Sequence, residues 1–365
     1  MEIKANITGI EYKINLVKSL DKINFYEFDI NKCPSSCILN SNDKLFALSK
    51  WVSPKRTRTY PLERVYNTLP YAKKITVIPI VKDEGLDGDR DFIQWDTISL
   101  MSLLDVYVIL AYYKSADKNI NYPNKLTNQK FDNIFILNKI NEIENYHSSA
   151  LHWNLKEINE NLINLIDMVK KSYSYISYLS NVKLHSYDGL DNFKSNIQNE
   201  AKSFIDYSRK KALNAQSSEV LTSQPKESLQ TKSKAKIIIN NYLGGMYYLT
   251  ADEVLFEENS ISLIESKHSK NNLLPGISDI KDGLIRMMLF SNLKNISVDN
   301  KNYRCKAILK LTSSKIKNFI STDSPESEVE EFVKVNCFNN YSKKLIKDLL
   351  LEAKSNNFII IIKGN

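Results

Sequence analysis

The sequence predicts an α/β protein, α+β overall, whose C-terminal third forms a mixed sheet flanked by helices. In that third, apolar runs such as "KIIINNY" and "FIIIIK" alternate with longer stretches of helical period such as "SKKLIKDLLLEAKS". The runs are apolar at successive positions, which is typical of strands in a sheet that helices cover on both sides. The stretch before it has helical period without comparable strand patterns, so we expect a helical middle region.

Three regions follow from these patterns. Residues 1–130 form an N-terminal α/β region, where "KKITVIPIVKD" is a strand by its β-branched content. In the same region, "TISLMSLLDVYVILAYY" is a buried helix or a helix that runs into a strand. Residues 131–235 form a helical region that ends in the polar linker or loop "NAQSSEVLTSQPKESLQTKSKAK". Residues 236–365 form the domain with alternating strands and helices.

Composition and charge exclude few classes of protein. The 365 residues are 42% apolar and carry a formal net charge of +8, which is compatible with a polyanionic partner but is common among globular proteins. The N-terminus has no apolar signal core, and Asp105 interrupts the longest apolar stretch, so we expect a cytoplasmic protein without a membrane segment. Cys33, Cys37, Cys305 and Cys337 lack the spacing and the histidine partners of a zinc site, so we expect free thiols.

The segment "YYLTADEVLFEENSISLIESKHS" has the pattern of a β-hairpin. In an antiparallel pair, opposed residues point to the same face of the sheet. A two-residue turn at 258–259 sets Asp252 directly opposite Glu265, whereas a turn at 259–260 sets Asp252 opposite Lys267. The sequence alone leaves both turns open, but either one brings three charged side chains to one face.

The number of residues in the hairpin loop decides whether Asp252 or Glu253 lies on the same face as Glu265 and Lys267. An even loop keeps Asp252 on the face of Glu265 and Lys267, and an odd loop brings Glu253 there instead. Two carboxylates on neighbouring strands repel each other unless a cation lies between them, and Mg²⁺ suits such ligands because it also binds water and phosphate oxygens. A lysine beside them can orient or deprotonate a water molecule, or neutralise charge on a phosphate transition state. These residue types fit hydrolysis of a phosphodiester.

Asp252 followed by Glu265-Ser266-Lys267 after a short hairpin resembles the PD-(D/E)xK nuclease motif. The segment "LLPGISDIKDGLIRMMLFSNL" resembles the helix that packs behind this hairpin in that superfamily, and the wider sequence looks similar to type II restriction endonucleases. In one departure, "TAD" stands where the family often has Pro-Asp. The resemblance covers roughly the last third of the chain. It implies a restriction-endonuclease-like sheet in 236–365, with Asp252, Glu265 and Lys267 as catalytic residues and the two carboxylates as ligands of Mg²⁺.

The resemblance also implies a function and partners. The function is that of a Mg²⁺-dependent endonuclease, a site-specific deoxyribonuclease that hydrolyses double-stranded DNA as in a type II restriction–modification system. The implied partners are duplex DNA, a second copy in a homodimer and a cognate DNA methyltransferase. Two alternatives remain: a non-catalytic DNA-binding or assembly protein that retains the nuclease fold, and a repair or RNA-directed nuclease with the same catalytic domain.

A basic loop in the N-terminal region is the best candidate for contact with DNA. In "WVSPKRTRTYPLERVYNTL", Lys55, Arg56 and Arg58 cluster in a proline-flanked segment with aromatic residues nearby. Arginine binds guanine edges in a bidentate manner and lysine pairs with phosphates, so the region is a candidate for DNA recognition. The alternative is an ordinary basic surface loop.

An acidic loop between Asp83 and Asp96 is a rival candidate for a metal site. Asp87, Asp89 and Asp91 stand at alternate positions, as the first three ligands of a calcium loop do. Counted from Asp87, however, the sixth and twelfth positions are Phe92 and Ile98, where an EF-hand needs glycine and glutamate. The interpretations left are a second metal site or DNA contact, a structural loop paired through Arg90, and a solvated turn. Charge runs in turns are usually solvated, which favours the structural interpretations.

Overall fold

A computed structural model describes residues 2–41, 44–54, 59–197, 202–208, 210 and 235–364. The chain divides into two compact units. We call Met1–Lys18 with Ser218–Asn365 the discontinuous unit and Ser19–Ser217 the continuous unit. Most of the predicted polar linker lies outside the described residues.

The strands are, in chain order, β1 (Glu2–Ile7), β2 (Lys22–Asn24), β3 (Ser36–Ser41), β4 (Lys44–Lys50), β5 (Lys74–Pro79), β6 (Val81–Asp83), β7 (Arg90–Phe92), β8 (Val106–Ala111), β9 (Tyr113–Lys118), β10 (Leu126–Phe131), β11 (Ala235–Asn241), β12 (Met246–Ala251), β13 (Glu253–Phe256), β14 (Ser260–Ser269), β15 (Lys294–Val298), β16 (Lys301–Ser313), β17 (Phe319–Ser321) and β18 (Ile359–Gly364). The helices are α1 (Thr59–Tyr66), α2 (Trp95–Leu103), α3 (Asn133–Glu144), α4 (Ala150–Lys156), α5 (Leu162–Ser180), α6 (Asp188–Ile197), α7 (Ile277–Ser291), α8 (Glu326–Val335) and α9 (Asn340–Ser355).

The predicted mixed α/β fold class is confirmed. In the described part of the discontinuous unit, one mixed sheet has the order β12-β11-β1-β15-β16-β14-β13, and β18 pairs with β16 and β17. The neighbours β14, β16 and β18 run parallel, whereas β13 runs antiparallel to β14. Helix α7 packs on β14 and β16, and α9 packs on β18. No described helix is long and apolar enough to cross a membrane.

Asp252 alone connects β12 and β13, the first and last strands in this order. Strand β12 ends at Ala251 and pairs with β11, and β13 begins at Glu253 and pairs with β14. The chain therefore changes its pairing partner at Asp252, where the backbone N–H donates to the carbonyl oxygen of Ile264 at 2.9 Å. This change of partner places Asp252 at the point where two ladders diverge.

The predicted domain boundaries need correction at the N-terminus. Strand β1 pairs in parallel with β11 and antiparallel with β15, so it lies inside the sheet that carries the hairpin. The predicted regions 1–130 and 131–235 are also not separate, because both contribute to the continuous unit. There, the indole N–H of Trp153 on α4 donates to the carbonyl oxygen of Val108 on β8 at 2.9 Å. Strands β8 and β9 of the first predicted region pack against helices α3, α4 and α5 of the second.

The continuous unit is built on a second sheet, whose described strands have the order β2-β3-β4-β5-β8. The segment after the acidic loop is a helix that runs into a strand, because α2 is followed by β8. The long helical pattern appears as α4 and α5, which are joined by a π-helical turn at Glu157–Asn161. One apolar face of α5 is buried, including Leu162, Leu165 and Val169.

The position of β1 gives a testable prediction. Ile3 is fully buried between β11 and β15, so Ile3→Ala should lower the free energy of unfolding by about 3 kcal/mol, through lost burial and a cavity. Lys4→Ala on the same strand is the control, because Lys4 is exposed and should stay within about 0.5 kcal/mol of the parent. Urea denaturation of both variants measures the difference. Equal effects would place β1 outside the core of this unit.

Candidate functional site

The hairpin has the first of the two turns that the sequence left open. Strands β13 and β14 pair Glu253 with Ile264 and Phe256 with Ile261. The Glu257 N–H donates to the Ser260 carbonyl oxygen at 2.9 Å, which leaves residues 258–259 as a two-residue loop. The regular pairing ends at Glu253, because the Asp252 N–H also donates to the Ile264 carbonyl oxygen, at 2.9 Å, so Asp252 and Glu253 both lie against Ile264 as in a β-bulge.

Glu253 and Glu265 point to opposite faces of the sheet. Glu253 contacts Lys310, with 2.9 Å between Oε1 and Nζ, and Lys310 lies beside Ser266 in the parallel ladder of β14 and β16. Glu265 lies beside Leu309, which packs against Gly283 of α7. The even loop thus keeps Glu253 away from Glu265, as its number of residues predicts.

Glu265 and Lys267 contact each other directly. The Lys267 ammonium lies 2.8 Å from Oε1 of Glu265, and the Glu265 side chain is only 4% exposed. The strand supplies this pair because alternate residues of a strand point to one face, so a glutamate and a lysine two apart lie side by side. Burial favours the contact, because a buried carboxylate needs a positive partner.

Helix α7 adds two charged residues that the sequence analysis did not assign. The Lys267 ammonium lies 2.6 Å from Oδ2 of Asp282. Nε of Arg286 lies 3.2 Å from Oε1 of Glu265 and 3.9 Å from Oδ2 of Asp282. Asp282 and Arg286 are four apart on the helix, so they lie one above the other on one side of it. That spacing, on a helix that is otherwise largely buried and apolar, is the signal by which they could have been found.

We call Glu265, Lys267, Asp282 and Arg286 the charged quartet. Its two carboxylates and two cations alternate in contact, so the formal charges cancel. Asp252 adds a third carboxylate next to this balanced set, and its charge acts on Glu265. A site with this excess of negative charge favours the arrival of a further cation.

Burial and neighbouring charge set the protonation states in the quartet. Burial raises the pKa of Glu265, and the charges of Arg286 and Lys267 partly offset that effect. For Lys267, burial alone would lower the pKa, but Asp282 and Glu265 outweigh it and raise the pKa. Lys267 therefore remains an ammonium group at neutral pH, which can donate hydrogen bonds but cannot accept a proton.

Asp252 and Glu265 are the residues of this site that could hold a magnesium ion. Oε2 of Glu265 is buried and has no hydrogen-bond partner among the described residues. Oδ2 of Asp252 accepts a hydrogen bond from the Ser266 N–H at 2.8 Å, which fixes the carboxylate and leaves its other oxygen for a ligand. The described residues contain no group of three or more metal-binding side chains. Two carboxylates are nevertheless what Mg²⁺ uses when water and phosphate complete its coordination.

The acidic loop of the continuous unit has the structure of an arginine-paired loop. Oδ2 of Asp83 lies 3.7 Å from Arg90, and its Oδ1 lies 2.8 Å from Nδ1 of His185. Glu84 lies 2.7 Å from Lys82. These contacts pair Asp83 and Glu84 with basic side chains, as expected if the loop has a structural role. Lys55, Arg56 and Arg58 lie outside the described residues, so their contact with DNA stays a prediction.

The contact between Lys267 and Asp282 can be tested by a double-mutant cycle. Asp282→Asn and Lys267→Gln should each lower the free energy of unfolding by about 2 kcal/mol, because each leaves a largely buried charge without its partner. The double variant should lose less than the sum, with a coupling of about 1–2 kcal/mol in urea denaturation. The exposed pair Lys306–Glu257 is the control and should show a smaller coupling. Additive losses in the first cycle would contradict the contact.

Comparison with protein-family models, with curated proteins and with solved structures finds no match for this chain. The resemblance to the PD-(D/E)xK motif therefore depends on the residues of the hairpin and on their geometry. The chemistry of the site has to be argued from the charged quartet and Asp252.

Proposed function

We propose that the protein is a Mg²⁺-dependent endonuclease that hydrolyses phosphodiester bonds of double-stranded DNA at a specific sequence, as in a type II restriction–modification system. One observation carries the proposal. The Asp252 carboxylate accepts the N–H of Ser266, the residue that follows Glu265, and the Lys267 ammonium contacts Glu265. A carboxylate oxygen of Glu265 is buried there without a hydrogen bond to any described residue.

The residues of the site have distinct roles in this proposal. Asp252 and Glu265 would hold Mg²⁺, which supplies positive charge for polarising the phosphate and for favouring deprotonation of the attacking water. Lys267 donates hydrogen bonds to the water or to a phosphate oxygen. An ammonium has three donors, and two of those on Lys267 face Glu265 and Asp282, so one is left for the substrate.

Hydrolysis of the phosphodiester needs no covalent enzyme intermediate. The water oxygen bonds to phosphorus while the bond from phosphorus to the leaving oxygen breaks, and the proton lost by the water is balanced by one gained at the leaving oxygen. Negative charge develops on the phosphoryl oxygens in the transition state, and fixed positive groups stabilise it. Lys267 is such a group, because Glu265 and Asp282 hold its ammonium in place.

The partners in this proposal follow from the reaction. Duplex DNA is a polyanion and suits a chain with a net charge of +8. Two cuts in a palindromic site need two active sites, and a homodimer supplies them with two-fold symmetry. The continuous unit would contribute to recognition of the sequence, and a methyltransferase with the same specificity would protect the DNA of the cell.

The charge balance of the quartet favours one alternative. Two carboxylates and two cations in mutual contact form a complete ionic network, and such a network can hold α7 against the sheet without any metal. In that case the chain would be a DNA-binding or assembly protein without catalysis. Binding of Mg²⁺ and cleavage of DNA separate the two functions.

Thermal unfolding tests for the metal without using activity. Mg²⁺ at about ten times its dissociation constant should stabilise the native protein by about 1.4 kcal/mol, which raises the Tm by about 2–5 °C. Glu265→Gln should remove most of this shift, because it removes a ligand charge. Glu253→Gln should keep it, since Glu253 points to the other face and contacts Lys310. A Tm that does not respond to Mg²⁺ would favour the metal-free ionic network.

Cleavage of plasmid DNA tests the catalytic residues. Asp252→Asn and Glu265→Gln should each lower Mg²⁺-dependent cleavage by more than about 100-fold, which corresponds to about 2.7 kcal/mol of transition-state stabilisation. Glu253→Gln is the matched control and should cleave within about threefold of the parent rate. Sequencing the ends of digested DNA gives the recognition sequence, and parallel reactions with single-stranded DNA and RNA test the alternative nuclease. Active Asp252→Asn with inactive Glu253→Gln would reverse the assignment of the two carboxylates.

A further inference from the structure

Arg286 is the most exposed member of the charged quartet. Its side chain is 26% exposed, compared with 4% for Glu265, 7% for Asp282 and 14% for Lys267. A cation that served only to neutralise Glu265 would not need to reach solvent. The exposure therefore raises the question of what else the guanidinium binds.

The guanidinium of Arg286 is fixed by two of its three nitrogen atoms. Nε faces Oε1 of Glu265 at 3.2 Å, and Nη1 donates to the carbonyl oxygen of Thr250 at 3.0 Å. Thr250 lies two residues before Asp252 and Glu265 lies on β14, so Arg286 connects the strand that leads to Asp252 with the strand of Glu265. Nη2 has no hydrogen-bond or ion-pair partner within the described ranges.

We propose that Arg286 binds the phosphate of the scissile phosphodiester through Nη2, as a second cation beside Lys267. The inference rests on the proposed function and adds a substrate-binding residue to it. Arginine presents its donors in a rigid planar fork, and bonds from a guanidinium to a phosphate are charge-assisted and strong. Because Glu265 and Thr250 already hold two sides of this fork, little conformational freedom is lost when the third side binds an anion.

The charges of the site agree with a single bound phosphate. The quartet is neutral and Asp252 contributes one negative charge. One divalent cation held by Asp252 and Glu265 would leave a net charge of +1, which one phosphodiester anion neutralises. A phosphodiester carries one negative charge and would therefore complete the charge balance of the site.

The test uses an inactive background in which the buried carboxylate is already neutral. The double variant Glu265→Gln/Arg286→Gln removes one negative and one positive charge and leaves Lys267 paired with Asp282, so the formal charges of the core remain balanced. Both proteins can be titrated with a fluorescent duplex of the cleaved sequence, because Glu265→Gln is expected to lower cleavage by more than about 100-fold. Glu265→Gln/Arg304→Gln is the matched control. Arg304 is exposed on β16 of the same unit and five residues away from Leu309, the ladder partner of Glu265.

Removal of Arg286 should weaken DNA binding about tenfold relative to Glu265→Gln, because one charge-assisted bond to phosphate is lost. The slope of log K against log salt concentration should become shallower by about 0.9, the contribution of one phosphate contact. The Arg304 control should change neither quantity. Equal losses in both double variants would reflect net charge alone and would overturn the proposal.

A conservative variant keeps the test decisive if the glutamine variant does not fold. Lysine in Glu265→Gln/Arg286→Lys keeps the charge but cannot contact Thr250 and a phosphate at the same time. It should retain the salt slope and bind DNA about threefold more weakly, and unchanged affinity would overturn the role of Arg286. If the wild-type protein cleaves DNA while the Arg286 variants bind as tightly as their parent, the endonuclease stands and only this inference fails. If the wild-type protein neither binds nor cleaves duplex DNA, the proposed function fails and the inference fails with it.

Discussion

The burial of the Glu265 carboxylate is the constraint on which the architecture of the site depends. Removing a carboxylate from water costs several kcal/mol unless positive groups replace the water, and Glu265 contacts Lys267 and Arg286. Lys267 is itself largely buried and in turn contacts Asp282. Helix α7 must therefore lie close to β14 and β16, and Gly283 allows this approach, because a Cβ atom there would lie 2.7 Å from a methyl group of Leu309. This close approach brings Asp282 and Arg286 within reach of the buried charges of β14.

The second constraint is the change of pairing partner at Asp252. A residue inside a regular ladder uses its backbone in the ladder, and its side chain lies among neighbours on one face. Asp252 stands between two ladders, where its carboxylate accepts the N–H of Ser266, the residue that separates Glu265 from Lys267. The strand of Asp252 and the strand of Glu265 are thereby tied together at the site. Arg286 ties them a second time through Thr250.

The features of the site that the sequence predicts correctly are those that depend on the alternation of side chains along one strand or hairpin. The alternation of β14 puts Glu265 and Lys267 on one face, and an even loop is enough to exclude Glu253. The two-residue turn itself could not be chosen, because both even registers satisfy the same pattern. The resemblance predicts that a helix packs behind the hairpin, and spacing shows that Asp282 and Arg286 share a side of it, but neither shows that this side meets Glu265 and Lys267. The position of β1 was missed for a related reason: its partners β11 and β15 are more than 200 residues away in sequence, and no local pattern encodes such pairing.

Asp252 is the residue that a metal site would need and that a purely structural ionic network would not. The quartet is neutral without Asp252, and a network whose only task was to hold α7 would be complete with its four members. The charge of Asp252 opposes ionisation of Glu265, so in the absence of a cation it makes the buried carboxylate less favourable. A carboxylate that disfavours ionisation of its neighbour becomes favourable when a divalent ion lies between the two. The same charge that weakens the network as a structural device is therefore the one that a Mg²⁺-dependent nuclease requires.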